Sequence, residues 1–262
     1  MSFENILFGV EDRIARLTFN RPDKLNSFNV AMHLEVRQAL DSLKASEARV
    51  LVLTGAGRGF CAGQDLGDRA VAPGSAAVDL GESIEKYYAP LVMHLKNLPM
   101  PVICAVNGVA AGAGANIALA CDLVVAARSA SFVQAFCKLG LIPDSGGTWF
   151  LPRLVGTARA MGLTLLGDKL PAEQAALWGM IWQCVDDAEL GATVDKLARH
   201  LAQAPTLGLA ATKRALLEGS QRTLAAQLEA ERDLQRELGR SADYAEGVAA
   251  FTQKRAPAFR GR

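Results

Sequence analysis

No stretch of this sequence reaches the ~18 uninterrupted apolar residues of a membrane-spanning helix. Net charge is almost absent: 28 Lys and Arg against 27 Asp and Glu leave +1 over 262 residues. That balance supplies no bulk field for a nucleic acid or an anionic bilayer, and no interleaved basic–aromatic patch supports RNA binding. The five cysteines, Cys61, Cys104, Cys121, Cys137 and Cys184, are odd in number and include no CxxC pair. Reduced, mostly buried thiols fit that usage better than a disulfide framework or a zinc site. The three histidines, His33, His94 and His200, are scattered over helical segments and give no triad spacing. Ser145 lacks the G-x-S-x-G elbow, the P-loop Lys-Ser/Thr is missing, and no repeat of 20–50 residues is visible. The opening MSFENILFGVEDR carries acids early and has no basic-then-apolar leader, so a cytoplasmic location is expected.

What is present is half hydrophobic and 21% charged, enough for one large domain with a buried core. Ile14, Arg16 and Thr18 alternate with Ala15, Leu17 and Phe19, the period of a half-buried strand, and Ile6–Phe19 reads as two strands around Val10–Arg13. Asn29 reads as the N-cap of a helix running to about Ala45. Val50–Thr54, Pro101–Val106 and Leu123–Ala127 are continuous apolar runs with helical patterns between them, which predicts a buried, mainly parallel sheet with helical crossovers. Arg69–Asp79 is rich in Ala, Pro, Gly and Ser and reads as a mobile loop. From about Ala158 the pattern is almost wholly helical, with a long charged helix over Gln221–Leu238. The expected organisation is a core over 1–200 and a helical region over 201–262.

Three segments carry the possible chemistry. Gly57-Arg58-Gly59-Phe60-Cys61-Ala62-Gly63-Gln64-Asp65-Leu66 follows a strand; its glycines allow backbone to approach a ligand, or simply make a turn. Asn107-Gly108 followed by Val109 to Asn116 opens a helix with small residues. Free N–H groups there suit an oxyanion or a phosphate, while tight helix packing is the plain alternative. The glycines at 108, 112 and 114 do not match G-x-G-x-x-G. Gly140-Leu141-Ile142-Pro143-Asp144-Ser145-Gly146-Gly147 sets a lone acid among apolar residues, which disfavour a carboxyl's charged form and suit a general base. Alone, Asp144 reads better as a helix cap than as a base.

Together, and with Asn20-Arg21-Pro22, Leu25-Asn26-Ser27, Ser241-Ala242-Asp243 and Glu246-Gly247 through Phe251 and Lys254, these segments resemble the crotonase (enoyl-CoA hydratase/isomerase) superfamily. The resemblance covers nearly the whole chain. It implies an α/β fold, a ββα spiral core with a C-terminal helical trimerisation region, assembled as a homotrimer or hexamer. It implies an acyl-CoA thioester substrate whose oxygen is held by the backbone N–H groups of Gln64 and Ala113. It places the CoA portion near Lys24, Leu25, Ala62, Asp65 and Leu66, with Phe251 and Lys254 reaching it from a neighbouring subunit. No metal and no cofactor is implied, since coenzyme A is part of the substrate; nor is a nucleic acid or membrane partner.

The departures narrow the reading. Hydratases of the family use two glutamates, which would fall at Asn116 and Phe136, and neither residue moves protons. Asp144 occupies a third position, used by isomerase members. The implied activity is an acyl-CoA isomerase with Asp144 as acid/base, most similar to the branch that converts ring-1,2-epoxyphenylacetyl-CoA to oxepin-CoA in phenylacetate degradation. Asn116, Phe136 and Tyr87 are expected in the substrate pocket. The alternatives are a Δ3-Δ2 enoyl-CoA isomerase, a hydratase, a dehalogenase-like member with a carboxylate nucleophile, and a non-catalytic acyl-CoA or RNA-binding protein of the same fold.

Overall fold

A computed structural model of the chain describes residues 3–69 and 79–262. The loop expected over Arg69–Asp79 lies, apart from its two ends, outside the described residues.

The first two strands form where the alternation requires. β1 (Ile6–Glu11) and β2 (Ile14–Phe19) pair antiparallel. Asp12 and Arg13 between them are both left-handed, at φ 50° and 64°, the two-residue turn whose twist matches that of the strands. Asn29 caps α1 (Val30–Ser42) by accepting the Met32 N–H at 2.8 Å. The α-helix stops at Ser42, and the expected extension to Ala45 is a 3₁₀ turn, Leu43–Ala45.

A ββα unit then recurs. β3 (Val50–Gly55) and β4 (Gly59–Cys61) precede α2 (Leu80–Ser83), a π-helical turn at Ile84–Tyr88 and α3 (Ala89–Asn97). β5 (Val102–Val106) and β6 (Val109–Ala111) precede α4 (Ala113–Leu119). β7 (Leu123–Ala127) and β8 (Ser131–Val133) precede α5 (Gly147–Leu166). The first strand of each unit joins one sheet and the second joins the other. With β9 (Lys169–Pro171) and β10 (Gln183–Val185), the large sheet runs β1-β2-β3-β5-β7-β10 and the small one β4-β6-β8-β9. From β2 to β10 the large sheet is parallel, and every residue of β5 is buried, as a sheet covered on both faces demands.

The expectation of an almost wholly helical chain beyond Ala158 is corrected by β9 and β10. Each has three residues, too few to display a period. They are strands because Leu170 finds Phe132 and Cys184 finds Ala126 across the sheets, so tertiary pairing overrides local pattern. α6 (Ala172–Leu177) lies between them. α7 (Leu190–Gln203) runs across residue 200 and lies over β2, β3, β5 and β7, burying Val194, Ala198, Leu201 and Ala202.

Beyond Pro205 come α8 (Thr206–Gly219), α9 (Leu224–Leu238) and α10 (Ala242–Gln253). α8 is fastened to the core by one nearly buried cation. Lys213 Nζ donates to the main-chain oxygens of Leu95 and Met100 and stands 2.8 Å from Asp122 Oδ2. The same Asp122 oxygen accepts the Val102 N–H. The tail after α10 is folded back by two acids. Asp243 accepts the N–H groups of Arg260 and Gly261, and Glu246 accepts those of Arg255 and Ala258. No helix among the described residues is long and apolar enough to cross a membrane.

Candidate active site

The tip of β4 lies directly on the start of α4. Gly63 is left-handed at φ 89°, and a Cβ on it would stand 2.8 Å from Ala111 O and 3.2 Å from Ala113 N. A Cβ on Gly114 would stand 2.3 Å from Cys61 O. Only glycine permits this approach. Gln64 forms a parallel bridge with Phe28, in which Phe28 N–H donates to Gly63 O and Asp65 N–H to Phe28 O. That pattern uses the groups flanking Gln64 and turns its own N–H the other way. Ala113 is the first residue of α4, where no carbonyl of the helix can reach its N–H. Among the described residues, the Gln64 and Ala113 amides are thus left outside the bridge and the helix ladder, beside the Gly63–Ala113 contact. Phe28 anchors one of them, fully buried and edge-on to Phe19 at 5.0 Å.

The acid arrives on the turn that precedes α5. Asp144 precedes Ser145 and Gly146, both left-handed at φ 50° and 82°. The cap position falls elsewhere: the N-cap of α5 is Gly146, with no side-chain cap bond, and the main-chain oxygen of Asp144 accepts Gly147 N–H. Its carboxylate instead accepts the Ser145 hydroxyl at 2.9 Å. The apolar neighbours expected to enclose it are turned outward, with Ile142 78% exposed, and Asp144 itself is half-buried. Asn116, one turn into α4 and fully buried, donates to Asp144 O at 2.8 Å. Phe136, also buried, has its ring 3.7 Å from where a Cβ of Gly112 would be. The start of α4 therefore gathers Gln64, Ala113, Asn116, Phe136 and the Asp144 turn.

The residues read as the CoA site form a second cluster beside β4. Ala62 N–H donates to Leu25 O, and Arg21 pairs with Asp65 at 2.9 Å. Burial works against the Asp65 charge, yet the hydrogen bonds from Arg21 and the Gly67 N–H, with the charges of Arg21 and Lys24, hold its carboxyl below the usual value. Lys24 and Leu66 are exposed beside them. Asn26 ties the cluster to the strand by accepting Arg21 N–H and donating to Ala56 O and Gly59 O. Phe251 and Lys254 do not join this group within one chain. Phe251 is 88% exposed and lines a groove of α8–α10 with Tyr244, Val248 and Phe259.

Tyr87 stacks on buried His33 and faces a small cleft with Arg37, Asp41 and His94. It is the next residue, Tyr88, whose hydroxyl meets Gln64 Oε1 at 3.0 Å; in the π-helical turn both rings touch His33, Tyr87 stacked and Tyr88 edge-on. Gln134, which donates to Asn116 Oδ1 at 2.9 Å, is a contact that no motif announced. Cys61, Cys104 and Cys121 are buried. Burial pushes the Cys61 thiol up to about 12, which makes it unreactive.

The enoyl-CoA hydratase/isomerase family matches residues 9–262. A 1,2-epoxyphenylacetyl-CoA isomerase of Escherichia coli is 60% identical over 260 residues, 99% of each chain. A 4-chlorobenzoyl coenzyme A dehalogenase-2 of an Arthrobacter species is 35% identical over 214 residues, 81% of this chain and 78% of that one. The crystal structure of an enoyl-CoA hydratase/isomerase from Cupriavidus metallidurans superposes with a TM-score of 0.92 at 30% identity, covering 100% of this chain and 98% of the other. The chain therefore belongs to the enoyl-CoA hydratase/isomerase family.

Proposed function

We propose that the protein is an acyl-CoA isomerase that shuttles one proton through Asp144, converting ring-1,2-epoxyphenylacetyl-CoA to oxepin-CoA. The observation that carries this reading is the bonding of Asn116. Its amide is committed on both sides, to Asp144 O and to Gln134 Nε2, and Phe136 is a hydrocarbon, so Asp144 is the acid left for proton transfer at the start of α4. The likeness to the E. coli 1,2-epoxyphenylacetyl-CoA isomerase over 99% of each chain supports the substrate.

In this reading the thioester oxygen sits between the Gln64 and Ala113 amides. Asp144 removes a proton from the carbon next to the thioester carbonyl. The negative charge moves to the oxygen, where two preorganised donors hold it. The ring epoxide rearranges, and protonated Asp144 returns the proton. Atoms and electrons balance within the substrate, so the step calls for no redox cofactor and no activated water. The CoA portion lies along Lys24, Leu25, Ala62, Asp65 and Leu66. Phe251 and Lys254 complete it from a second subunit of a trimer or hexamer, which also covers the exposed apolar side chains of α8–α10. The 1–200 core then holds the reacting centre, the 201–262 helices hold the assembly, and the enzyme works in the cytoplasm.

The test is turnover of the ring epoxide, 3-enoyl-CoA and crotonyl-CoA by wild type and Asp144→Asn. Asp144→Asn is expected to lower kcat on the epoxide by about 10²–10⁴-fold, with acyl-CoA binding retained. Fast hydration of crotonyl-CoA that survives the substitution would sink the reading in favour of a hydratase. A covalent ester on Asp144, found after mixing with labelled substrate, would favour the dehalogenase-like route.

A further inference from the structure

Gln134 enters the function just described only as a partner of Asn116, and its own environment is peculiar. It follows β8 and is 4% exposed. Its Oε1 is buried without a hydrogen-bond partner. Its Nε2 donates to Asn116 Oδ1 at 2.9 Å. Burying an amide oxygen without a donor is unfavourable, and an apolar side chain of similar length would avoid it. The donation to Asn116 is what the amide contributes in return.

That donation has a direction. Asn116 Oδ1 accepts from Gln134, which leaves Nδ2 as the end facing Asp144 O, at 2.8 Å. A Cβ on Gly147 would stand 2.4 Å from that Nδ2, so the amide occupies space that only a glycine leaves open. We propose that Gln134 is a positioning residue for Asp144: through Asn116 it forms a two-amide relay that fixes the main chain of the acid's turn against the helix carrying the Ala113 amide. The inference rests on the reading of Asp144 as the acid/base. The turn needs such a restraint, because Ser145 holds a left-handed φ of 50° without being glycine. α4 itself carries no charged residue. The titratable groups near the relay are Asp144 across it, Cys137 and Lys138 on Gln134's own turn, and Asp168 and Lys169 on the segment that pairs with Val133.

The test uses Gln134→Leu and Gln134→Glu beside wild type and Asp144→Asn, on ring-1,2-epoxyphenylacetyl-CoA, with unfolding midpoints for each. Gln134→Leu removes the donor. It is expected to lower kcat by about 10- to 100-fold with KM within about twofold of wild type, since the thioester contacts are untouched. Gln134→Glu keeps the length and makes the relay titratable. Protonated, the introduced carboxyl donates to Asn116 as the glutamine amide does. Ionised, it has no donor, and an Asn116 amide turned over to meet it presents its oxygen to Asp144 O. Burial raises the pKa of the introduced carboxyl, so the variant is expected to lose kcat as pH rises, where wild type holds its activity. This second variant keeps the test decisive if Gln134→Leu does not fold. Wild-type kcat in Gln134→Leu, or a wild-type pH profile in Gln134→Glu, overturns the relay while Asp144→Asn stays inactive and the proposed function stands. Wild-type kcat in Asp144→Asn overturns both.

Discussion

The side-chain amide of Asn116 donates at 2.8 Å to the main-chain oxygen of Asp144, so a residue of α4 holds the backbone that leads into α5. Asn116→Asp replaces that donor by an oxygen. The new carboxyl is buried between one donor, Gln134 Nε2, and one acceptor, Asp144 O, and burial beside that acceptor raises its pKa. An acid whose folded pKa exceeds its unfolded one costs stability increasingly as pH rises above the unfolded value, about 3.9. The expected loss at neutral pH is about 1–3 kcal/mol, largely recovered near pH 4. Urea midpoints measured across that range check it; a pH-independent loss would contradict the assignment.

Gly147→Ala is expected to destabilise the fold by about 1–3 kcal/mol, because its Cβ would stand 2.4 Å from Asn116 Nδ2. The clash is with one side chain, so the double variant Asn116→Ala with Gly147→Ala should recover part of that loss. A double-mutant cycle in denaturant measures the coupling; strict additivity would show that the crowding lies elsewhere.

Lys213→Met should lower stability by about 3 kcal/mol. Lys213 and Asp122 have side-chain exposures of 9% and 19%, and removing the cation leaves the carboxylate without its partner. Adding Asp122→Asn relieves that buried charge while its oxygen still accepts from Val102, so the double variant should be more stable than Lys213→Met. Thermal unfolding of wild type and the two variants decides.

The Glu246 carboxyl is held down to about 2, first by the hydrogen bond from Arg255 and then by the Ala258 N–H. Its folded value lies below the usual glutamate value, so the tail's contribution is complete above about 4.3 and fades as pH falls towards about 2. The amide resonance of Ala258 should titrate with that low midpoint, and Glu246→Gln should abolish the titration. A midpoint at the ordinary glutamate value would mean that the tail is not folded back in solution.

The long elements were legible because their residues carry a period or a cap: the Ile14–Phe19 alternation, Asn29 before α1, the apolar runs of β3, β5 and β7. The small sheet was not. β4, β6, β8 and β9 have three residues each, and their identity lies in the neighbours they pair with. At the site, glycines 63, 114 and 147 mark close approaches that residue type alone suggests, and Asp144 announces itself by being a lone acid. Gln134 does not, because an amide in the core acquires its partner only when distant segments meet. The outward turn of Leu141 and Ile142 was equally invisible, since an apolar residue is the same letter whether it faces core or solvent.

In both sheets the order of strands is their order in the chain. No strand has to be threaded between two that already pair. Parallel neighbours come together only after a long crossover has closed, and here each closure adds to a free edge. A chain emerging from the ribosome can therefore lengthen both sheets in the direction of synthesis, with β10 as the last edge of the large one, before α8 arrives to bring Lys213 to Asp122.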